Sequence, residues 1–168
     1  DLSDYQAPAT YYYAHIAYDT KDYTTALDYF TKIENDPKFS FLAPYYITHI
    51  YFMQGKYQEL IQYTENRIDS LVPERKQEMI RMLGEAHYNL GAYNQAIPYL
   101  KQLKSTSREE TYHLAYALFK NKDYVEAIDY FKAALQEDDS LNQMIYYHLA
   151  DCYVQTQQKK FAFTSFKK

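Results

Sequence analysis

The sequence is poor in the residues that build tight turns and covalent cross-links. Its 168 residues include only 3 Gly, 5 Pro and 1 Cys, and Trp is absent. So few Gly and Pro leave little material for hairpin turns between strands, which favours helices joined by short links. The single cysteine, Cys152, excludes an intrachain disulfide and a cysteine-based zinc site, and its apolar helical surroundings predict a buried small side chain.

The positive and negative charges of the chain nearly balance. Its net charge is −4, and the charged residues are dispersed along the chain. A basic stripe that could follow a phosphate backbone is missing, so we expect no nucleic acid among its partners. No apolar run approaches the roughly 20 residues of a membrane span, so we expect no direct membrane insertion.

Tyrosine is what the sequence has in excess. There are 22 Tyr and 9 Phe, and the hydrophobic fraction of 47% is that of a folded chain. A tyrosine ring packs against apolar neighbours while its hydroxyl reaches water or a hydrogen-bond partner. This composition suits an elongated repeat protein, in which many side chains are half-buried.

A short hinge ending in tyrosine recurs four times. Each hinge tyrosine is followed three residues later by a small or apolar residue: Tyr23 by Ala26, Tyr57 by Leu60, Tyr93 by Ala96 and Tyr124 by Ala127. The four tyrosines are separated by 34, 36 and 31 residues. A recurrence at this period predicts stacked helical hairpins, in which recognition surfaces are more common than active sites.

This pattern resembles the tetratricopeptide repeat family, whose unit is a pair of helices of about 34 residues. Aligned on the hinge, the small residue of the first helix is Ala14, Thr48, Gly84, Ala115 and Ala150. The corresponding residue of the second helix is Ala26, Leu60, Ala96, Ala127 and Ala162. Large apolar residues come later in the same helices, at Phe30, Leu100, Phe131 and Phe166. The resemblance implies an all-α fold, an α-solenoid forming a right-handed superhelix of about five hairpins with the last incomplete.

The resemblance divides the chain into one domain of approximate repeats, at residues 7–40, 41–73, 74–106, 107–140 and 141–168. Asp36-Pro37, Pro73 and Asp138-Asp139 lie where one hairpin should end and the next begin. Asp22 and Asp123 are predicted to cap their second helices, because a carboxylate can accept free backbone N–H groups there. The fifth hinge has Gln157-Gln158 in place of the tyrosine pattern.

The second repeat departs most from the family pattern. Thr48 and Leu60 replace small residues, and Thr64 and Arg67 stand where a bulky apolar and a small residue are usual. We therefore expect its second helix to be displaced or to pack differently.

The first helices of this family line the concave side of the superhelix, where ligands usually lie. The resemblance implies that fourteen residues of this chain, nine of them aromatic, lie on the concave face: Tyr11, His15, Tyr18, Tyr45, His49, Phe52, Arg81, Glu85, Tyr88, Tyr112, Tyr116, Phe119, Tyr147 and Asp151. Tyrosine offers a large rigid contact area with a hydrogen-bonding tip, and Arg81 could bind a carboxylate. The alternative interpretation is that many of these tyrosines pack against neighbouring repeats.

Signatures of catalysis or of a cofactor are missing. The three glycines are isolated, so there is no glycine-rich phosphate loop, and no serine stands in a nucleophile-elbow pattern. His15 and Asp19 could face one side of a helix, but a metal site needs three or four converging ligands. His87, His113 and His148 fall at helix-packing positions. We expect no enzyme activity, no metal and no cofactor.

The sequence thus predicts a non-catalytic scaffold that binds a protein or peptide in an aromatic groove, with Tyr11, Tyr45, Tyr112, Tyr116 and Tyr147 directed toward the ligand. Two alternatives stay open: a structural spacer in a longer repeat array, and a module that positions substrate for an appended enzyme domain. Self-association through terminal repeats is a further option. The start at Asp1 suggests a piece of a longer protein, and the composition resembles large bacterial repeat proteins, some of the cell envelope, although a cytoplasmic setting is equally compatible with one cysteine.

Overall fold

The computed structural model describes residues 3–68, 73–136 and 140–166, and within these ranges all regular structure is helical. The helices are α1 (Ser3–Asp19), α2 (Tyr23–Ile33), α3 (Ala43–Met53), α4 (Tyr57–Thr64), α5 (Pro73–Asn89), α6 (Tyr93–Leu100), α7 (Arg108–Lys120), α8 (Tyr124–Ala133), α9 (Ser140–Gln155) and α10 (Lys159–Phe166). The predicted all-α class is confirmed. None of these described helices is both long and apolar enough to cross a bilayer.

The chain forms two compact units, residues 1–86 and 87–168. The buried core of the first unit is built from α1, α2 and α3: Ala14, Ala17, Ala26, Phe30, Ile33, Ala43, Ile47 and Ile50. The second unit has its own core from α6 to α10, with Leu100, Leu118, Phe131, Ile145, Leu149 and Cys152 among its members. Cys152 is fully buried, as predicted from its neighbours.

Five hairpin turns end their first helices in the same way. After α1, the backbone N–H of Asp22 donates to the carbonyl of Ala17 at 2.8 Å, and that of Lys21 donates to Tyr18 at 2.9 Å. This pair of bonds is the Schellman motif, which needs one residue in the left-handed region. The residues with φ of 62–73° are Lys21, Gly55, Gly91, Lys122 and Gln157. All five hairpins therefore reverse direction through the same tight turn. The hinge at Gln157, which has no tyrosine, uses the same motif as the four tyrosine hinges.

The hinge tyrosines begin the second helices α2, α4, α6 and α8, which confirms their structural role. Each ring packs edge to face against the aromatic ring five residues earlier, with centroids 5.7–6.1 Å apart. The pairs are Tyr18–Tyr23, Phe52–Tyr57, Tyr88–Tyr93 and Phe119–Tyr124. An edge-to-face pair adds about 0.5–1.5 kcal/mol to the area buried, so each turn is held by its rings as well as its backbone.

Only one of the two predicted aspartate caps forms. Asp22 accepts a hydrogen bond from the backbone N–H of Thr25 at 3.2 Å, as expected for an N-cap. Asp123 occupies the N-cap position of α8 but caps no backbone group; its carboxylate accepts from the Asn121 side chain at 2.6 Å instead. The side-chain prediction for Asp123 was therefore wrong. Pro73 begins α5 as expected, whereas Asp138 and Asp139 lie outside the described residues.

The unusual threonines of the second repeat compensate for each other. Thr48 on α3 and Thr64 at the end of α4 are both fully buried, and their hydroxyl oxygens are 2.9 Å apart. A buried hydroxyl is costly unless it is hydrogen-bonded, and here each satisfies the other. The pair joins α3 to α4 where the family pattern would use a small and a bulky apolar residue.

We predict that Thr48→Val or Thr64→Val alone destabilises the protein by about 1–3 kcal/mol, since each leaves one buried hydroxyl without its partner. The double variant should be much less destabilised than the sum of the two, because no orphaned hydroxyl remains. Urea unfolding followed by circular dichroism measures all three. Strictly additive losses would mean that the hydroxyl pair is not coupled.

Candidate functional site

In the first unit, α1 and α3 present a connected set of aromatic and histidine side chains. Tyr18 and His49 are joined by a hydrogen bond of 2.9 Å between the hydroxyl and Nδ1. His15 is held on both sides: its Nδ1 lies 3.1 Å from Asp19, and its Nε2 lies 3.2 Å from the Tyr46 hydroxyl. We call this surface, which carries Tyr11, His15, Tyr18, Tyr45, His49 and Phe52, the α1–α3 face. Ring contacts and hydrogen bonds connect five of the six residues that the sequence placed on these first helices, and the ring of the sixth, Phe52, packs on Tyr57 of α4.

Tyr46 lies at the centre of this set, although the sequence alignment did not select it. Its ring stacks on the buried Phe30 of α2 with centroids 4.7 Å apart, and it meets the Tyr18 ring edge to face at 5.1 Å. Its hydroxyl reaches His15. Tyr46 therefore ties the exposed rings of the α1–α3 face to the core beneath them. Its position next to Tyr45 gave no distinguishing signal in a tyrosine-rich sequence.

Helix α5 adds two charged side chains that the sequence analysis missed. The Arg75 guanidinium lies 4.3 Å from the centre of the Tyr45 ring, a cation–π contact. Burial raises the pKa of Tyr45 above its ordinary value, and the nearby Glu78 carboxylate raises it further. Burial lowers the pKa of His49, and Glu78 opposes that shift. Glu78 precedes Arg81 by three residues, so helical spacing could have found it.

In the second unit, α7 and α9 carry the corresponding aromatic residues. Tyr116 lies between Tyr112 at 6.1 Å and Phe119 at 6.1 Å between ring centroids. Tyr88 of α5 meets Tyr116 edge to face at 6.2 Å, so these rings form one connected group. We call this surface, with Tyr88, Tyr112, Tyr116, Phe119, Tyr147 and Asp151, the α7–α9 face.

The fourteen predicted residues differ in how far they can reach a ligand. Tyr45, Glu85 and Tyr112 are buried, so they can support neighbouring side chains but offer little contact area. Tyr147 is 62% exposed. The other ten are half-buried: Tyr11, His15, Tyr18, His49, Phe52, Arg81, Tyr88, Tyr116, Phe119 and Asp151. Half-buried rings have one face fixed by packing and the other available to solvent.

His148 of α9 is enclosed by aromatic rings of the second unit. It stacks on Phe131 at 5.6 Å and meets Tyr116 and Phe119, each at 5.1 Å between centroids. Its Nδ1 is buried and has no hydrogen-bond partner among the described residues. Burial lowers the pKa of this imidazole, with Lys120 acting in the same direction and Asp151 opposing both. The site therefore favours neutral His148.

A lowered folded-state pKa means that the unfolded chain binds the proton more tightly. His148 should therefore leave stability unaffected above about pH 6.5, its ordinary pKa, and reduce it as the pH falls below that value. We predict that His148→Phe, which keeps an aromatic ring but cannot be protonated, shows a smaller loss of melting temperature between about pH 7.5 and about pH 5 than the wild type. Thermal unfolding at both pH values measures this. Equal losses of melting temperature in the two proteins would contradict this prediction. His49, whose pKa is also lowered, is present in both proteins and therefore does not affect the comparison.

Two family profiles match parts of the sequence. The family described as "Anaphase-promoting complex, cyclosome, subunit 3" matches residues 69–134, and the family described as "Tetratricopeptide repeat" matches residues 118–162. No curated protein sequence matches the chain.

Solved structures with the same fold cover almost the whole chain. MamA of AMB-1 has a TM-score of 0.79 at 18% identity, covering 98% of this chain and 90% of its own. YrrB, described as "a TPR protein with an unusual peptide-binding site", has a TM-score of 0.77 at 19% identity, covering 98% and 84%. MamA of Desulfovibrio magneticus RS-1 has a TM-score of 0.71 at 16% identity, covering 96% and 91%. At this low identity the likeness concerns the fold alone.

Proposed function

Because the chain is a tetratricopeptide repeat protein, we propose that it is a non-catalytic scaffold that binds an extended peptide segment of a partner protein. The contact residues proposed are those of the fourteen that are not buried, on the α1–α3 face, on α5 and on the α7–α9 face. Tyr45, Glu85 and Tyr112 would support them from below. Each unit is proposed to contribute its own set of contacts.

The observation that carries this proposal is the set of hydrogen bonds that holds side chains of the α1–α3 face. The Tyr18 hydroxyl bonds to His49, and His15 is fixed between Asp19 and Tyr46. Ordering a long side chain on binding costs about 0.5–1.5 kcal/mol, and side chains that are already held avoid much of that cost. A set of half-exposed rings held in place by hydrogen bonds is therefore suited to recognition.

The chemistry of this face suits a peptide with apolar side chains. The rings of Tyr11, Tyr18 and Phe52 offer apolar contact area for the side chains of the peptide. Arg75 and Glu78 supply one charge of each sign on α5. The fold neighbour YrrB, whose description names a peptide-binding site, supports a peptide as the ligand.

The state of the reactive side chains supports the non-catalytic part of the proposal. Cys152 is fully buried, and burial raises the pKa of its thiol to about 12, so the nucleophilic thiolate does not form at neutral pH. His15 uses both ring nitrogens, toward Asp19 and Tyr46, and His49 uses Nδ1 toward Tyr18. These groups are occupied in holding the surface together.

We predict that Tyr18→Ala weakens binding of a peptide selected on the α1–α3 face by roughly tenfold or more, because it removes the ring and the bond to His49. Tyr18→Phe should lose less, since the ring stays. The peptide is obtained by panning a random peptide library displayed on phage against the full chain, and affinities are measured by isothermal titration calorimetry.

Tyr13→Ala is the matched control. Tyr13 is also on α1 and about half-exposed, but its ring packs on Tyr29 of α2, away from the set around Tyr46. Its removal should leave peptide affinity unchanged. Failure to select any peptide, or equal losses for Tyr13→Ala and Tyr18→Ala, would refute the proposed face.

A further inference from the structure

The link between α2 and α3 places an aromatic ring on the α1–α3 face. This link consists of residues 34–42 and is longer than the link of residues 101–107 between α6 and α7. The ring of Phe39 in this link stacks on the ring of Tyr11, with centroids 4.8 Å apart and ring planes inclined by 16°. We call residues 34–42 the α2–α3 link. Because Tyr11 belongs to the α1–α3 face, the link extends that face beyond the helices.

Phe39 is an addition to an arrangement that the chain otherwise repeats. Tyr11 and Tyr112 both stand three residues before the small residue of a first helix. The ring of Tyr112 lies 5.9–6.3 Å from three other rings, which are those of Phe131, Tyr116 and His148. The ring of Tyr11 lies 5.8–6.3 Å from the rings at the same three positions of the first unit, which are those of Phe30, His15 and Tyr46. Phe39 lies closer to Tyr11 than any of these three, and it comes from a link rather than from a helix.

Hydrogen bonds within the α2–α3 link hold Phe39 in this position. The carboxylate of Asp36 accepts a hydrogen bond from the backbone N–H of Lys38 at 2.8 Å, which is how an aspartate stabilises the start of a turn. The carbonyl of Asp36 accepts from the backbone N–H groups of Phe39 and Ser40 at 2.9 and 2.8 Å. The carbonyl of Phe39 accepts from the N–H of Ala43, the first residue of α3, at 2.8 Å. The ring is therefore presented by an ordered turn, so a ligand that meets it has little ordering cost to overcome.

Tyr11 and Phe39 together form an apolar surface that is partly accessible. Both side chains are half-buried, and both pack against the core of the first unit. Two stacked rings present their edges side by side, and a ring edge pairs favourably with the face of another aromatic ring. A charged side chain would lose its water at these ring edges without gaining a hydrogen bond. An aromatic side chain is therefore the ligand group that this surface suits best.

We propose that Phe39 is a specificity-determining contact for the bound peptide, and that it and Tyr11 together receive an aromatic side chain of that peptide. This inference rests on the proposed function, because it concerns a peptide bound on the α1–α3 face. It adds a contact residue outside the first helices and a chemical class of side chain in the ligand. Neither follows from the repeat pattern, since Phe39 lies between helices.

A double-mutant cycle between the protein and the peptide tests the proposal. A phage-selected peptide whose binding requires Tyr18 is used, and each of its large apolar residues is replaced in turn by alanine. Isothermal titration calorimetry gives the affinities for the wild type and for Phe39→Ala. With one aromatic residue of the peptide present, Phe39→Ala should weaken binding about fivefold or more, and with that residue replaced by alanine, less than about twofold.

Phe39→Leu is run through the same cycle, because it keeps an apolar side chain on Tyr11 and removes only the ring. Circular dichroism should show it folded, and it should couple to the same aromatic residue of the peptide, although less strongly than Phe39→Ala. Phe41→Ala is the matched control, since Phe41 belongs to the same link and is 43% exposed. Its removal should leave peptide affinity unchanged.

The possible failures are distinguishable. Peptide binding that depends on Tyr18 but is unchanged in Phe39→Ala refutes this inference and leaves the proposed function standing. A loss of equal size for every peptide variant also refutes it, because Phe39 would then only hold Tyr11 in place, as does an equal loss in Phe41→Ala. A library that yields no peptide dependent on Tyr18 refutes the proposed function, and the inference with it.

Discussion

Close packing of helices at small residues is the constraint on which the rest of this structure depends. Ala14 and Ala26 are fully buried in the first unit, and Ala115 and Ala127 hold the same positions in the second. A single hairpin cannot bury its apolar surface alone, so each must lie against the next. Where Thr48 replaces the small residue, a second buried hydroxyl, Thr64, is needed to satisfy it. This exception shows that few side chains can be accommodated at these closely packed positions.

The tyrosines of this chain serve three distinct purposes. Those at the hinges close the turns by packing on an aromatic ring five residues earlier. Others, such as Tyr112, belong to the core. A third group, including Tyr18, remains half-exposed and is fixed by hydrogen bonds across two helices. One residue type can do all three because its ring is apolar while its hydroxyl is polar, so the surrounding helix decides which part is used.

Sequence alone determined the repeat, the all-α class and the start of the second helices α2, α4, α6 and α8, because Tyr23, Tyr57, Tyr93 and Tyr124 mark local turns that need no distant partner. It also assigned the six residues of the α1–α3 face to first helices, and they lie in α1 and α3. Only the tertiary structure decided which of them are accessible, since the burial of Tyr45 and Tyr112 depends on rings and helices far along the chain. It likewise revealed Tyr46, Arg75 and Glu78, whose roles arise from contacts between helices. Spacing along the sequence predicts which side of a helix a residue occupies. Which residues lie against that side depends on how the helices pack in the tertiary structure.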